Sequence, residues 1–225
     1  MKNFVIIVAF ILYFMPVAAQ DNPLRDSLKV AMETLAYHPD SVDLLLKKAA
    51  WNVELEQWQY AKESYDIVLA KEPANIAALY FRAYVNERLN RLNFARLDYE
   101  NLLAVVPGNF EAQLGLALLN HKDKHYTQAM DMMNRLVSQF PDSAAVYAVR
   151  AGMEKDRGML ELAEYDFSEA VRREPTNTDY LLNRADLRIE LKKWSGAKSD
   201  VDRLVAMGIP KSSLTGFYRR IKKCR

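Results

Sequence analysis

Five prolines stand 34 residues apart, at Pro39, Pro73, Pro107, Pro141 and Pro175. Two alanine series keep the same step. One is Ala49, Ala83, Ala117, Ala151 and Ala185; the other is Ala61, Ala95, Ala129, Ala163 and Ala197. Three series in phase make the chain a tandem repeat. Such a chain has no single central core, because each copy buries its apolar face against its neighbours.

Within one copy, residues 76–109, the apolar positions fall at helical spacing in two runs. Leu79, Ala83 and Val85 belong to the first; Leu92, Ala95, Tyr99, Leu102 and Leu103 belong to the second. A polar break near Asn90 separates them, and Pro107 closes the second, since proline cannot continue a helix. Each unit therefore reads as a helical hairpin. Small Ala at two fixed sites lets the paired helices approach closely. Two residues after each proline stands Ser41, Asn75, Asn109, Ser143 or Asn177, all good N-caps for the next first helix.

Two further sites change together. Arg82, Arg150 and Arg184 occupy one site of the first helix, and Asp98, Asp166 and Asp200 stand sixteen residues later on the second. In the third unit the same sites hold Leu116 and Met132, both apolar; in the first they hold Lys48 and Ser64. Joint change predicts contact within each hairpin.

These features resemble the tetratricopeptide repeat (TPR) family: small residues at two sites (Ala83, Ala95), large apolar residues around the second (Leu92, Tyr99), and a closing proline (Pro107), with equivalents in all five units. The resemblance implies an all-α, right-handed superhelical solenoid. Its units would be 42–75, 76–109, 110–143, 144–177 and 178–211. Residues 20–41 would form an N-terminal capping half-repeat, and 212–225 a basic C-terminal capping helix with Leu214, Phe217, Tyr218 and Ile221 on one face. The sequence departs from the family in three respects, one being that the fifth unit ends Ile209-Pro210, one residue out of phase. The glycine of the hairpin turn occurs only as Gly158, and Asn52, Asn86, Asn120, Glu154 and Arg188 replace an aromatic late in the first helix.

The resemblance also implies that the first helices line a concave groove for an extended peptide or partner helix. Its residues would be Leu46, Ala50 and Val53 in unit one, and Tyr80, Tyr84, Glu87 and Arg88 in unit two. Leu114, Leu118, His121 and Lys122 would follow in unit three, and Lys155 in unit four. The Lys/Asn/Arg clamp by which some members hold a C-terminal carboxylate is missing, its sites being Leu46, Ala50, Glu111 and Gly115.

Charge and termini narrow the class further. Of 31 basic residues, setting aside Lys2 and the six in the last fifteen residues leaves 24 against 29 acidic residues. No domain-wide basic stripe exists, so nucleic acid is not an expected partner. The tail cations Arg219, Arg220, Lys222, Lys223 and Arg225 could instead meet anionic lipid headgroups or an acidic partner. Lys2, the apolar run Phe4–Phe14, Pro16 and Val17-Ala18-Ala19 read as a signal peptide over residues 1–19, cleaved before Gln20. The expected destination is the periplasm or the exterior. One cysteine, Cys224, allows no internal disulfide.

No nucleophile–base set and no phosphate loop is present. His121 and His125 stand four apart, but His125 falls in a predicted turn and no Glu or Cys completes a metal set. The expectation is a non-catalytic protein–protein adaptor of the bacterial envelope, without metal or small-molecule cofactor, holding an apolar peptide or helix in the groove. The alternative is an assembly factor docked on a membrane surface by its basic tail.

Overall fold

The structure, a computed structural model, describes residues 23–223; the signal-peptide reading, Cys224 and Arg225 lie outside them. Among the described residues the chain forms twelve α-helices and no strand. α1 (Pro23–Tyr37) stands alone and packs on the first of five hairpins. These are α2 (Val42–Glu54) with α3 (Trp58–Lys71), α4 (Ile76–Arg88) with α5 (Leu92–Val105), and α6 (Phe110–Lys122) with α7 (Tyr126–Gln139). Then come α8 (Ala144–Asp156) with α9 (Leu160–Arg173), and α10 (Thr178–Glu190) with α11 (Trp194–Ala206). A single 3-10 turn, Lys211–Leu214, leads into α12 (Thr215–Lys223), which rests on α10 and α11.

The periodic residues do what their spacing requires. All ten alanines of the two series are 0% exposed. Tyr65, Tyr99, Met133, Phe167 and Val201, one per second helix, are buried beside them. Side-chain oxygens of Ser41, Asn75, Asn109 and Asn177 accept from backbone N–H groups in the first turn of the next helix. Ser143 is the exception: it holds the extended N-cap backbone, yet its side chain makes no capping bond. Ser212 and Ser213 do not cap the last helix either, because the 3-10 turn takes them up.

Each hairpin turn needs one residue in the left-handed region, at Glu56 (φ 55°), Asn90 (57°), Lys124 (64°), Gly158 (74°) and Lys192 (59°). Only Gly158 reaches this backbone without steric penalty. The other four units adopt the turn against local preference, held there by the helix packing on either side.

The jointly varying sites touch. Arg82 Nε and Nη2 donate to Asp98 at 3.0 and 2.5 Å, Arg150 to Asp166 at 2.6 and 2.8 Å, and Arg184 to Asp200 at 3.0 and 2.6 Å. Each carboxylate is buried, and each pair is a bidentate fork. Arg82 and Arg150 also reach back to the preceding second helix, at Asp66 and Asn134 (2.9 Å each). The pairs thus tie hairpin to hairpin as well as helix to helix.

One close approach is decided by glycine. A Cβ at Gly115 would stand 2.6 Å from Cζ of Tyr99, whose buried ring is anchored by a 2.9 Å bond from its hydroxyl to Glu87. Gly115→Ala should raise helix propensity but displace that ring. Overpacking of this kind costs about 1–3 kcal/mol, more than the ~1 kcal/mol alanine gains. Urea unfolding should therefore show net destabilisation; a gain in stability would mean that the ring moves freely.

Candidate partner-binding groove

The two faces of the stack differ. First helices meet directly: Lys122 Nζ donates to the Glu87 carbonyl (3.4 Å), His121 Nε2 lies 3.2 Å from Asp156, and Lys155 Nζ donates to Asp186 (2.8 Å). On the other face, clefts open between successive second helices. The face made by α2, α4, α6, α8 and α10 is the one that the TPR resemblance implies to be inner and concave.

Along it the predicted residues fall into rows, and the rows have different fates. Leu46, Tyr80 and Leu114 are half-buried and pack into the cores of adjoining hairpins, as does Val53. They form the groove wall and much of their surface is already used. Tyr80 meets Tyr99 edge to face at 6.1 Å. In the next row Ala50 is exposed, while Tyr84 and Leu118 are 38% and 44% exposed. These last two occupy the same site of neighbouring repeats and give the inner face a free apolar strip. Tyr84 stacks edge-on against Trp58, and Arg88 lies 4.7 Å over the same indole.

The strip continues into a notch. Gly152 takes the site of Tyr84 and Leu118 in unit four, and a Cβ there would meet nothing within 4 Å. Asp186 takes the site in unit five and closes the strip with charge. Burial would raise the Asp186 carboxyl, but hydrogen bonds from Lys155 and Arg220 hold it below the usual range.

The polar row is largely tied up within the stack. Glu87 accepts from the Tyr99 hydroxyl, and burial raises its carboxyl above the usual range against the pull of that bond and of Lys122. Lys122 and Lys155 bond to the neighbouring first helices as above. His121 sits edge-on to Tyr126, and His125 pairs with Asp123 in the hairpin turn, so the two imidazoles have separate surroundings. These groups rim the groove rather than reach into it.

The C-terminal cations divide likewise. Arg220 donates to Asp186 (2.6 Å) and Tyr218 to Asp202 (2.7 Å), which fasten α12 to the fifth hairpin. Arg219 and Lys222 are exposed; the Lys223 side chain and Arg225 lie outside the described residues. No helix of the described residues is long and apolar enough to cross a membrane.

A tetratricopeptide repeat family model matches residues 89–152, which run through α5 to α8. A tetratricopeptide repeat protein from Parabacteroides merdae superposes with a TM-score of 0.70 at 22% identity, covering 89% of this chain and 78% of that one. Residues 89–152 match the tetratricopeptide repeat family, and the described chain has the fold of a TPR solenoid. PilW, a type IV pilus biogenesis factor, matches this TPR solenoid with a TM-score of 0.71 at 20% identity, over 81% of this chain and 85% of its own. YrrB, described as a TPR protein with an unusual peptide-binding site, matches at 0.56 and 15% identity over 80% and 93%. No curated protein matches the TPR chain in sequence.

Sequence reasoning could not separate Tyr84 and Leu118 from Tyr80 and Leu114. Only the packing shows which apolar residues of the inner face remain free. In the sequence the fourth unit, with Ala148 and Gly152 on this face, reads as unusually small-sided, and a glycine in mid-helix costs about 1 kcal/mol against alanine.

Proposed function

We propose that the protein is a non-catalytic adaptor of the bacterial cell envelope that holds an apolar segment of another protein in its concave groove. The observation that carries this reading is the free strip Tyr84–Leu118 leading to the Gly152 notch, rimmed by polar groups already bonded within the stack. Such a surface can dock an apolar peptide or helix face without first breaking its own ion pairs. Its helices are preformed, so the scaffold loses little ordering entropy on binding. The envelope address rests on the N-terminal pattern Lys2, Phe4–Phe14 and Val17-Ala18-Ala19. It agrees with the kinship in fold to PilW, a pilus biogenesis factor.

Photo-crosslinking from position 118 in the native host tests the groove. Expected is a recurrent protein partner that is lost in Tyr84→Ala and in Gly152→Trp, the second of which fills the notch from a site with no steric neighbours. Losing Tyr84, an aromatic anchor, should weaken binding by about 1–2 kcal/mol, roughly tenfold. Crosslinks that persist in both variants would remove the groove reading. If they vanish only in Arg219→Ala/Lys222→Ala, the basic tail is the docking surface instead.

A further inference from the structure

The outer face carries three clefts that recur with the period of the chain. The first lies between α1 and α3 (about 260 Å³), the second between α3 and α5 (about 310 Å³), and the third between α5 and α7 (about 300 Å³). Equivalent residues line them: Leu28, Lys62 and Arg96 on one lip, and Tyr60, Phe94 and Gln128 on the other. At the floor stands an asparagine from the first helix between, Asn52, Asn86 or Asn120, each buried. These are the residues that replace the aromatic the family usually has there.

The three asparagines differ in how they are satisfied. In the third cleft Asn120 Oδ1 accepts from Arg96, while its Nδ2 contacts Met132 Sδ at 3.3 Å. In the first, Asn52 Nδ2 donates to the Lys48 carbonyl (2.9 Å). In the second, Asn86 Nδ2 donates to Asp98 Oδ2 (3.0 Å), and Oδ1 is buried without a partner among the described residues. The amide cannot be turned over to cure this, because Oδ1 would then face the Asp98 carboxylate. Lys62, the counterpart of Arg96, is held away by Asp66 at 2.6 Å. The second cleft therefore lacks the donor that the third supplies from its own lip, and a buried acceptor without a donor carries its full desolvation penalty.

The surroundings of Asn86 define what would bring that donor. Phe94 and Leu97 wall the cleft and are 60% and 51% exposed, far more than apolar residues of a filled site. Lys62 and Arg82 are paired with Asp66 and Asp98, and Arg91 stands exposed on the rim, so the cleft has a net positive charge. A cationic donor is disfavoured there; a neutral donor on an electron-rich aromatic ring is favoured. The volume is at the lower limit of ligand sites and suits a single large side chain. We propose that the cleft between α3 and α5 is a second protein-recognition site, which receives a tryptophan side chain of a partner, its indole N–H donating to Asn86 Oδ1 and its ring lying against Phe94 and Leu97. The site is on the face opposite the groove, so it stands or falls independently of the groove.

The test is an NMR titration of the isotope-labelled chain with N-acetyl-tryptophanamide, repeated with the analogue methylated at the indole nitrogen. Expected are saturable shifts of the Asn86 side-chain amide and of the Phe94 and Leu97 backbone amides. Methylation, which removes the donor and puts a methyl group in its place, should weaken binding at least roughly tenfold. Phe94→Ala/Leu97→Ala, exposed on the surface, should abolish the shifts and keep the dispersion of a folded chain. Equal affinity for the methylated probe would overturn the proposal, because a water then suffices for Asn86. Shifts confined to Tyr84 and Leu118, or no saturable shift, would overturn it as well.

Discussion

Asp98→Ala is expected to destabilise the protein by about 3 kcal/mol, because it strands a largely buried guanidinium. Arg82 is 22% exposed at its side chain and spends two of its donors on Asp98; only Asp66 would remain to it. The Asn86 amide would lose its acceptor as well. The chain itself supplies the control. In the third hairpin Leu116 and Met132 fill the sites of Arg82 and Asp98, and Asn120 meets the Met132 sulfur where Asn86 meets a carboxylate. The double change Arg82→Leu/Asp98→Met copies a solution the backbone already accommodates. It should return stability to within about 1 kcal/mol of the parent, since a well-packed apolar replacement of a buried pair is often neutral. Urea unfolding followed by circular dichroism measures both. A single variant that loses less than about 1 kcal/mol, or a double that is no better than the single, would contradict this account of the pairs.

A second large effect belongs to Glu154, which occupies the Asn86 site in the fourth hairpin. There the amide that would donate to the second-helix carboxylate is replaced by a carboxyl facing Asp166. Glu154 is 5% exposed, and its Oε2 has no partner among the described residues. Arg150 is occupied by Asp166 and Asn134. Burial first, and Asp166 second, push the Glu154 carboxyl up to about 7 against the opposing pull of Arg150. The unfolded chain releases this proton near the ordinary value of 4.5, while the folded chain holds it to about 7. Between those values the folded state binds more protons. The contribution of Glu154 to stability is therefore complete below about pH 4.5 and is lost as pH rises through 7. At 1.36 kcal/mol per pKa unit the swing is on the order of 3 kcal/mol. Glu154→Gln should accordingly leave stability near pH 4.5 almost unchanged and raise it by about 2–3 kcal/mol near pH 8. A stability difference between variant and parent that is flat with pH would refute the assignment.

Most of the fold could be read from the 34-residue step. The alanine series marked the closest helix contacts, the prolines marked the helix ends, and the joint change of Arg82/Asp98 into Leu116/Met132 marked a contact across the hairpin. Those signals are legible because each lies within one repeat, where the spacing is fixed. The groove was less legible because its condition depends on contacts between repeats. Lys122, His121 and Lys155 read as free ligands in the sequence, but their partners Glu87, Asp156 and Asp186 stand 31 or 35 residues away, off the repeat period. Arg220 read as part of a free basic tail and is instead bonded to Asp186. The asparagine series was visible as a departure from the family pattern. Its meaning was not, because it depends on whether Lys62 or Arg96 reaches inward.

The stack is not uniform along its length. Among the described residues α7 and α8 pack more sparsely than any other pair of consecutive helices joining two hairpins. The same junction contains the one first helix whose N-cap serine makes no capping bond. Sparse contact and an unsatisfied helix start both lower the free energy of local opening. Local opening at this junction should therefore cost less than at the other three that join hairpins, although Arg150 to Asn134 and His121 to Asp156 span it. Leu118 lies on one side of it and Gly152 on the other, so the least costly opening of the stack would fall within the groove itself.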